Sequence, residues 1–237
     1  MRFKIKKSHQ KELTTLTSIG TSQTLAFVKE FITGPDSNIL EVGSKDSGLT
    51  EELGNAGYQV TAIENILEFQ SEEGFDGVLF TRSFHNLQSL ETVLNQTKKL
   101  LNEKGRILIE DFANEQMDVK TAAWFYDLGD VMTAVVGGSI EEGTDGPLER
   151  WKKEHDSAPS VHTRKEIIKV MEKNFGNIHS LTIPYLYRYF EEKLSASENS
   201  SQAIQKIYDW EIKSIAKGLL EPIGMRIVAK KYFSYLK

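Results

Sequence analysis

The chain of 237 residues contains no cysteine. Disulfides, thiolate metal sites and cysteine nucleophiles are therefore excluded, and the fold needs no oxidising compartment. The sequence also lacks an apolar run long enough to span a bilayer, and no uninterrupted apolar segment follows the basic residues near its start. These absences predict a soluble cytoplasmic protein with no membrane partner.

Basic residues are also fewer than acidic ones, at 29 Lys and Arg against 34 Asp and Glu. The formal net charge is −5 and the isoelectric point is near 5.7. Binding to nucleic acid needs clustered Lys and Arg side chains that displace counterions from phosphates, so the net charge argues against a nucleic-acid partner. One basic cluster lies at the start of the chain, where it alternates with Phe3 and Ile5, and we interpret it as a solvated strand or arm. Its members are Arg2, Lys4, Lys6, Lys7 and Lys11.

The most informative segment is an apolar strand over 39–42 that leads into a turn bounded by Gly43 and Gly48. Glycine lets the backbone approach a ligand closely, and a helix that follows such a turn offers unpaired N–H groups. A second strand ends at Glu64, ~20 residues further on, where a carboxylate can accept hydrogen bonds from ribose hydroxyls. The segment therefore predicts a site for an adenosine-type cofactor.

Strand and helix patterns alternate around this segment. Strands are predicted near 39–42, 59–63, 76–80 and 106–110, and helices near 22–32, 48–56 and 89–101. This rhythm predicts an α/β fold with a doubly wound, mostly parallel sheet.

Later in the chain, Thr163 and Glu166 form a capping-box pattern that opens a helix to about Asn174. Strands are predicted over 178–183 and 224–232, with a helix between them whose residues Ile204, Ile207, Trp210 and Ile215 belong to the core.

Three segments follow one another in this part of the chain: the first is LEVGSKDSGLTEELGNAGYQVTAIE, the second is FDGVLF followed by SFHNL, and the third is LLNEKGRILIE. In this order they resemble class I S-adenosylmethionine-dependent methyltransferases, which have a Rossmann-like fold, and in particular the type 11-like members. They lie between residues 35 and 112. The resemblance implies S-adenosyl-L-methionine as the cofactor and an antiparallel last strand at the sheet edge.

The chain departs from the family pattern at two places. Lys45 and Ser47 occupy positions that are commonly glycine, and an ordinary turn without a ligand is the alternative interpretation of this loop. Too few residues separate Glu64 from Phe75 for the usual helix and third strand, so we expect a shortened sheet edge. The cofactor-binding residues that the resemblance implies are Glu41, Gly43, Ser44, Gly48, Glu64, Asn65, Thr81, Arg82 and Ser83.

We expect one domain over residues 1–237. Its predicted parts are an N-terminal helical segment (1–34), a cofactor-binding half (35–112), a helical lid insertion (113–162) and a C-terminal half (163–237) with a helical insertion over 184–220. The lid and the second insertion are expected to form the walls of the acceptor site, because loops carry binding residues disproportionately.

Methyl transfer to a hydroxyl needs a base when that hydroxyl has a high pKa, and histidine is the usual candidate. His85 follows a strand at its carboxyl end, whereas His155 and His162 lie in the predicted lid. His155, Asp156 and His162 could instead bind a metal, although one carboxylate and two imidazoles on a loop are weak evidence and we predict no metal. The candidate catalytic residues are His155, His162, His85 and Tyr185, and the candidate acceptor contacts are Asp111, Tyr187 and Arg188.

The predicted function is methylation of a small molecule at oxygen or nitrogen. The alternatives are a non-catalytic binding or regulatory subunit with the same fold, which the altered glycine loop favours, and a nicotinamide dinucleotide protein. The sequence does not identify the acceptor, and it leaves the oligomeric state open.

Overall fold

The computed structural model describes residues 18–43, 48–135, 144–155, 162–194 and 200–231. A six-stranded sheet runs through these residues in the order β2-β1-β3-β4-β6-β5. Strand β6 is antiparallel to both of its neighbours, and the other pairs are parallel. The strands are β1 (Asn38–Val42), β2 (Gln59–Ile63), β3 (Phe75–Thr81), β4 (Leu101–Phe112), β5 (Ile178–Ile183) and β6 (Gly224–Lys230).

Eight α-helices lie in the described ranges, and the sequence explains where several of them begin. The Ser18 hydroxyl accepts from the amide of Thr21 at the start of the first helix, and Thr163 and Glu166 form the predicted capping box at the start of the sixth. The helices are α1 (Ile19–Phe31), α2 (Leu49–Asn55), α3 (Leu90–Leu100), α4 (Val119–Val135), α5 (Pro147–His155), α6 (Arg164–Phe175), α7 (Tyr187–Leu194) and α8 (Ser200–Ala216).

The two faces of the sheet bury alternate residues of the same strands. In β3, Val78 and Phe80 belong to the cluster that includes residues of α3 and α6, whereas Leu79 belongs to the cluster that includes Phe27 of α1 and Leu53 of α2. This is the period-two pattern of a sheet covered on both sides. Truncation of the fully buried Phe80 to alanine would cost about 3–5 kcal/mol.

A third apolar cluster is built by α4, α5, α7 and α8 together with the segment that follows β5. Phe125 of α4 contacts Trp151 of α5 edge-on at 5.5 Å between ring centroids. Tyr187 and Ile204 belong to the same cluster, which also packs against Phe112 at the carboxyl end of β4. These helices therefore form a cap next to the end of the sheet where ligands bind in α/β folds.

The predicted fold class is confirmed, and so is the shortened edge. Residues 64–74 contain no strand, which leaves β2 at the edge of the sheet. Residues 147–155 form helix α5 within the predicted helical lid insertion. One expectation was wrong. Trp210 is half exposed rather than part of the core, because it packs on Trp124 at the outside of α8.

None of the helices in the described ranges is both long and apolar enough to cross a membrane. The cytoplasmic location and the lack of a nucleic-acid partner stay predictions.

Candidate active site at the carboxyl ends of the strands

Gly43 follows β1 and lies where no side chain fits. Its φ is +154°, a region that L-residues rarely adopt, and a Cβ atom there would lie 2.7 Å from the backbone oxygen of Thr81. Its amide donates to the backbone oxygen of Ile63 at 3.1 Å. Glycine thus allows the ends of β1, β2 and β3 to meet closely.

Glu41 and Gly48 organise the turn between β1 and α2. Glu41 is buried in β1, and its Oε2 atom accepts a hydrogen bond of 2.6 Å from the Thr50 hydroxyl in the first turn of α2. Gly48 precedes that helix with a φ of +67°, which glycine adopts without strain. Ser44, Lys45 and Ser47 lie outside the described residues.

The carboxyl end of β2 carries two of the predicted cofactor residues. Glu64 and Asn65 are both exposed. The Asn65 side chain accepts from the amide of Leu67 at 3.0 Å and donates to Glu68 at 2.7 Å, which fixes a tight turn. Glu64 therefore stands at the sheet edge, directly after the last residue of the strand.

The carboxyl end of β3 is held against both neighbouring strands. The Ser83 hydroxyl donates to the backbone oxygen of Val42 at 3.2 Å, and the amide of Arg82 donates to the backbone oxygen of Glu110 at 2.9 Å. Arg82 has a φ of +51°, an uncommon conformation for a residue with a side chain that costs about 1–3 kcal/mol. Such strain is typical of functional sites.

A cavity of about 260 Å³ lies next to the ends of β3 and β4. Most of its surface is apolar, and two guanidinium-bearing side chains take part in it. Its lining residues are Arg82, Phe112, His155, Tyr185, Arg188 and Tyr189. The structure thus brings four predicted site residues, which come from separate parts of the sequence, to one cavity.

Arg188 belongs to a buried ion-pair cluster centred on Glu110. The guanidinium groups of Arg188 and Arg226 contact opposite oxygens of the Glu110 carboxylate, and the Thr24 hydroxyl donates to it at 2.6 Å. Burial by itself would raise the pKa of Glu110, but the two guanidinium groups and the hydroxyl hold that pKa below its ordinary value. The Nε atom of Arg188 is buried and has no hydrogen-bond partner in the described part of the chain.

Tyr185 is the most buried ring of the cavity wall. It packs beside Phe112 at 5.3 Å between centroids, and the Arg188 guanidinium lies 5.2 Å from its ring centre. Burial raises the pKa of Tyr185 well above its ordinary value, so the side chain is a neutral phenol at neutral pH. Its hydroxyl is buried without a hydrogen-bond partner among the described residues.

His85 and Asp111 form a buried pair in contact with Phe112. The Nδ1 atom of His85 lies 2.7 Å from Oδ1 of Asp111, and the amide of His85 donates to Oδ2 at 2.9 Å. The Phe112 amide donates to Oδ1 of the same carboxylate at 2.9 Å. Asp111 is fully buried and binds His85, and its predicted contact with the acceptor stays a prediction.

His155 and His162 make different contacts in the structure. His155 lines the cavity, stacks on Trp151 at 3.7 Å and bonds through Nδ1 to the backbone oxygen of Trp151. His162 bonds through Nε2 to the backbone oxygen of Leu87 at 2.8 Å, and its amide donates to the oxygen of His85, so it fastens the turn that carries His85. Asp156 lies outside the described residues.

Tyr187 was predicted to contact the acceptor, and this stays a prediction. Its ring is buried against Tyr208 at 4.7 Å between centroids and is not among the residues that line the cavity. In the structure it packs between α7 and α8.

Glu211 of α8 was missed by the sequence analysis. Its carboxylate is fully buried and accepts hydrogen bonds from the amides of Tyr185, Leu186 and Tyr187 at 2.7, 2.9 and 2.9 Å. It thus holds the segment that carries the aromatic wall. The available signal was an acidic residue that continues the apolar stripe of Ile204 and Ile207 at helical spacing.

The chain is similar to known proteins at the level of solved structures. No protein-family model and no curated protein sequence matches the chain. Among solved structures, phosphoethanolamine N-methyltransferase 2 from Haemonchus contortus in complex with S-adenosyl-L-methionine matches with a TM-score of 0.54 and 13% identity, over 90% of this chain and 53% of that one. A SAM-dependent methyltransferase from Archaeoglobus fulgidus matches with a TM-score of 0.52 and 13% identity, over 89% of this chain and 94% of that one.

The chain has the fold of class I S-adenosylmethionine-dependent methyltransferases. It spans about half the length of the Haemonchus protein and nearly all of the Archaeoglobus one. Within the methyltransferase fold, the turn at Gly43 and the cavity beside Phe112 lie at the same end of the sheet, because both follow the carboxyl ends of parallel strands.

Proposed function

We propose that the chain is an S-adenosylmethionine-dependent methyltransferase that methylates a small molecule. The observation that carries this proposal is the place of the aromatic cavity. It adjoins the ends of β3 and β4, and β3 is the direct neighbour of β1, whose end carries Gly43. Ligands of open α/β sheets bind at this end, so a nucleotide at β1 and an acceptor in the cavity would be neighbours.

The residues at the ends of β1 and β2 fit the methyl donor. Gly43 keeps the backbone free of a side chain at the strand end, and the exposed carboxylate of Glu64 is suited to accept hydrogen bonds from ribose hydroxyls. Glu41 is engaged with Thr50, and we assign it to holding α2 in place. When bound, S-adenosylmethionine supplies an electrophilic methyl carbon attached to a positively charged sulfur.

The cavity fits a small acceptor. Its volume of 260 Å³ is just below the roughly 300 Å³ at which pockets for drug-sized ligands begin. Rings of Phe112, Tyr185 and Tyr189 form much of its wall, and such rings exclude water and attract cations through their faces. The Haemonchus protein was likewise solved in complex with a small molecule, phosphomonomethylethanolamine.

Calorimetric titration with S-adenosylhomocysteine, the demethylated product, tests the cofactor site. We expect micromolar binding to the wild-type chain. Glu64→Ala removes the carboxylate that accepts from the ribose hydroxyls and should weaken binding about tenfold or more, since each loss of about 1.4 kcal/mol in binding free energy is a factor of ten. Glu72→Ala removes the same charge from another exposed position of the same segment and should bind like wild type. Absence of heat with the wild-type chain, or tight binding of NAD instead, would overturn the proposal.

Transfer itself is tested with a methyl-labelled donor and candidate small molecules. Labelled product in the small-molecule fraction supports a methyltransferase. S-adenosylhomocysteine binding without any labelled product would favour a non-catalytic binding subunit with the same fold.

A further inference from the structure

The His85–Asp111 pair has the geometry of a base with its orienting carboxylate. A carboxylate only accepts hydrogen bonds, so the proton of this contact belongs to Nδ1 of His85. The lone pair of the neutral ring is therefore on Nε2. No hydrogen-bond partner of Nε2 is found in the ranges that the structure describes.

The ring is fixed from several sides. Asp111 holds both the imidazole and the amide of His85, and the Phe112 ring packs on the imidazole at 4.4 Å between centroids. His162 fastens the same turn through the oxygens of His85 and Leu87. Since Phe112 also lines the cavity, the imidazole lies next to the cavity.

We propose that His85 is the general base of the reaction, that Asp111 is its positioning residue, and that the acceptor is a protic nucleophile, a hydroxyl or an amine. This inference rests on the proposed function. The acceptor's O–H or N–H bond breaks and its proton goes to Nε2 of His85. The acceptor's electron pair forms the new bond to the methyl carbon, and the electron pair of the broken S–C bond stays on sulfur. The resulting imidazolium is offset by the Asp111 carboxylate, which has no other cation to neutralise it in the contacts above.

His155 is the rival base, since it lines the cavity directly and also bonds through Nδ1. Its partner is the neutral backbone oxygen of Trp151, whereas the partner of His85 is a carboxylate. Only the second arrangement supplies a negative charge that stabilises a protonated ring. The structure therefore favours His85.

The first readout needs no acceptor. Long-range ¹H–¹⁵N spectra of the chain with ¹⁵N-labelled histidine, assigned with His85→Gln, report which nitrogen of each neutral ring carries the proton. We expect the Nδ1–H tautomer for His85 and a shift toward Nε2–H in Asp111→Asn, because the asparagine amide can donate to Nδ1. An Nε2–H tautomer in the wild-type chain overturns the proposal.

The second readout uses four aromatic probes of similar size that differ in their nucleophile: catechol, phenethylamine, phenylacetate and thioanisole. We expect labelled product from catechol or phenethylamine and from neither of the others. Asp111→Asn should lower kcat by about 100-fold or more, the usual contribution of general base catalysis, with KM for the methyl donor unchanged. A loss of kcat in His155→Asn that matches His85→Gln, with Asp111→Asn unaffected, would make His155 the base.

Transfer only to phenylacetate or thioanisole, unchanged kcat in Asp111→Asn, or no product from any probe would each overturn the inference. Failure of the wild-type chain to bind S-adenosylhomocysteine would instead overturn the proposed function. The tautomer of His85 is measured without any ligand, so the two failures are distinguishable.

Discussion

The buried carboxylate of Glu211 accepts a hydrogen bond of 2.7 Å from the amide of Tyr185, 26 residues earlier in the chain. Two further amides of the same segment donate to this carboxylate. The first turn of α7 would otherwise leave these groups unsatisfied, as helix starts do. One acidic side chain on α8 therefore fixes the start of α7 and with it the tyrosine wall of the cavity.

Glu211→Gln is expected to lower the free energy of unfolding by about 1–3 kcal/mol, because the amide nitrogen of glutamine cannot accept and at least one buried N–H group loses its partner. Urea unfolding followed by circular dichroism measures this. Glu221→Gln, an exposed change of the same kind, should be neutral. Equal stability of the two variants would contradict the assigned role.

Glu110 is expected to make the fold sensitive to acid. Its folded pKa lies below the unfolded value, so the folded state binds fewer protons and the contribution of Glu110 is fully present above about pH 4.3. It is lost as the pH falls through the folded pKa. Glu110→Gln should remove this part of the acid dependence and cost about 3–5 kcal/mol at neutral pH, since Arg188 and Arg226 lose their buried partner.

Thermal unfolding between pH 2.5 and pH 7 tests this prediction. Glu149→Gln is a suitable control, because within the described residues that carboxylate forms an exposed contact with Lys152. The prediction fails if Glu110→Gln and wild type lose stability in parallel as the pH falls.

Gly43→Ala is expected to be strained and to weaken cofactor binding. The new methyl group would lie 2.7 Å from the Thr81 oxygen at a φ of +154°, which we expect to cost about 1–3 kcal/mol. Gly54→Ala is the matched control, since a Cβ atom there meets none of the described residues within 4 Å and alanine favours the helix by about 0.5–1 kcal/mol. Measured stability and S-adenosylhomocysteine affinity should both fall in the first variant alone.

Tyr185→Phe is expected to keep or raise stability. The hydroxyl is buried without a partner in the described residues, and removal of such a group relieves a desolvation cost of about 1–3 kcal/mol. Differential scanning calorimetry gives the change in Tm. A clear fall in Tm would show that the hydroxyl has a partner. If the hydroxyl serves the acceptor, methyl transfer should drop while stability does not.

The sheet and the turn at Gly43 were predictable because their signals are local. Strand periodicity, glycine and the Thr163–Glu166 cap each act within a few residues. The pairing of His85 with Asp111 was not predictable, even though both residues were candidates for the site. It depends on how the ends of β3 and β4 lie in register. The role of Glu211 was not predictable for a similar reason: its partners are backbone amides, which the sequence does not identify. Helix α5 is short and strongly polar, so its single buried residue, Trp151, gave no periodic pattern.

The cluster around Glu110 joins the two ends of the described chain. Arg226 of β6 donates to the backbone oxygen of Gln23 in α1, 203 residues away, and Glu191 of α7 accepts from the amide of Gly20, 171 residues away. Contacts of such high sequence separation form late, because the intervening loop must close first. During synthesis from the N-terminus, α1 therefore lacks its charged partners until α7 and β6 have emerged, and the Glu110 cluster that holds Arg188 beside the cavity is completed only after that.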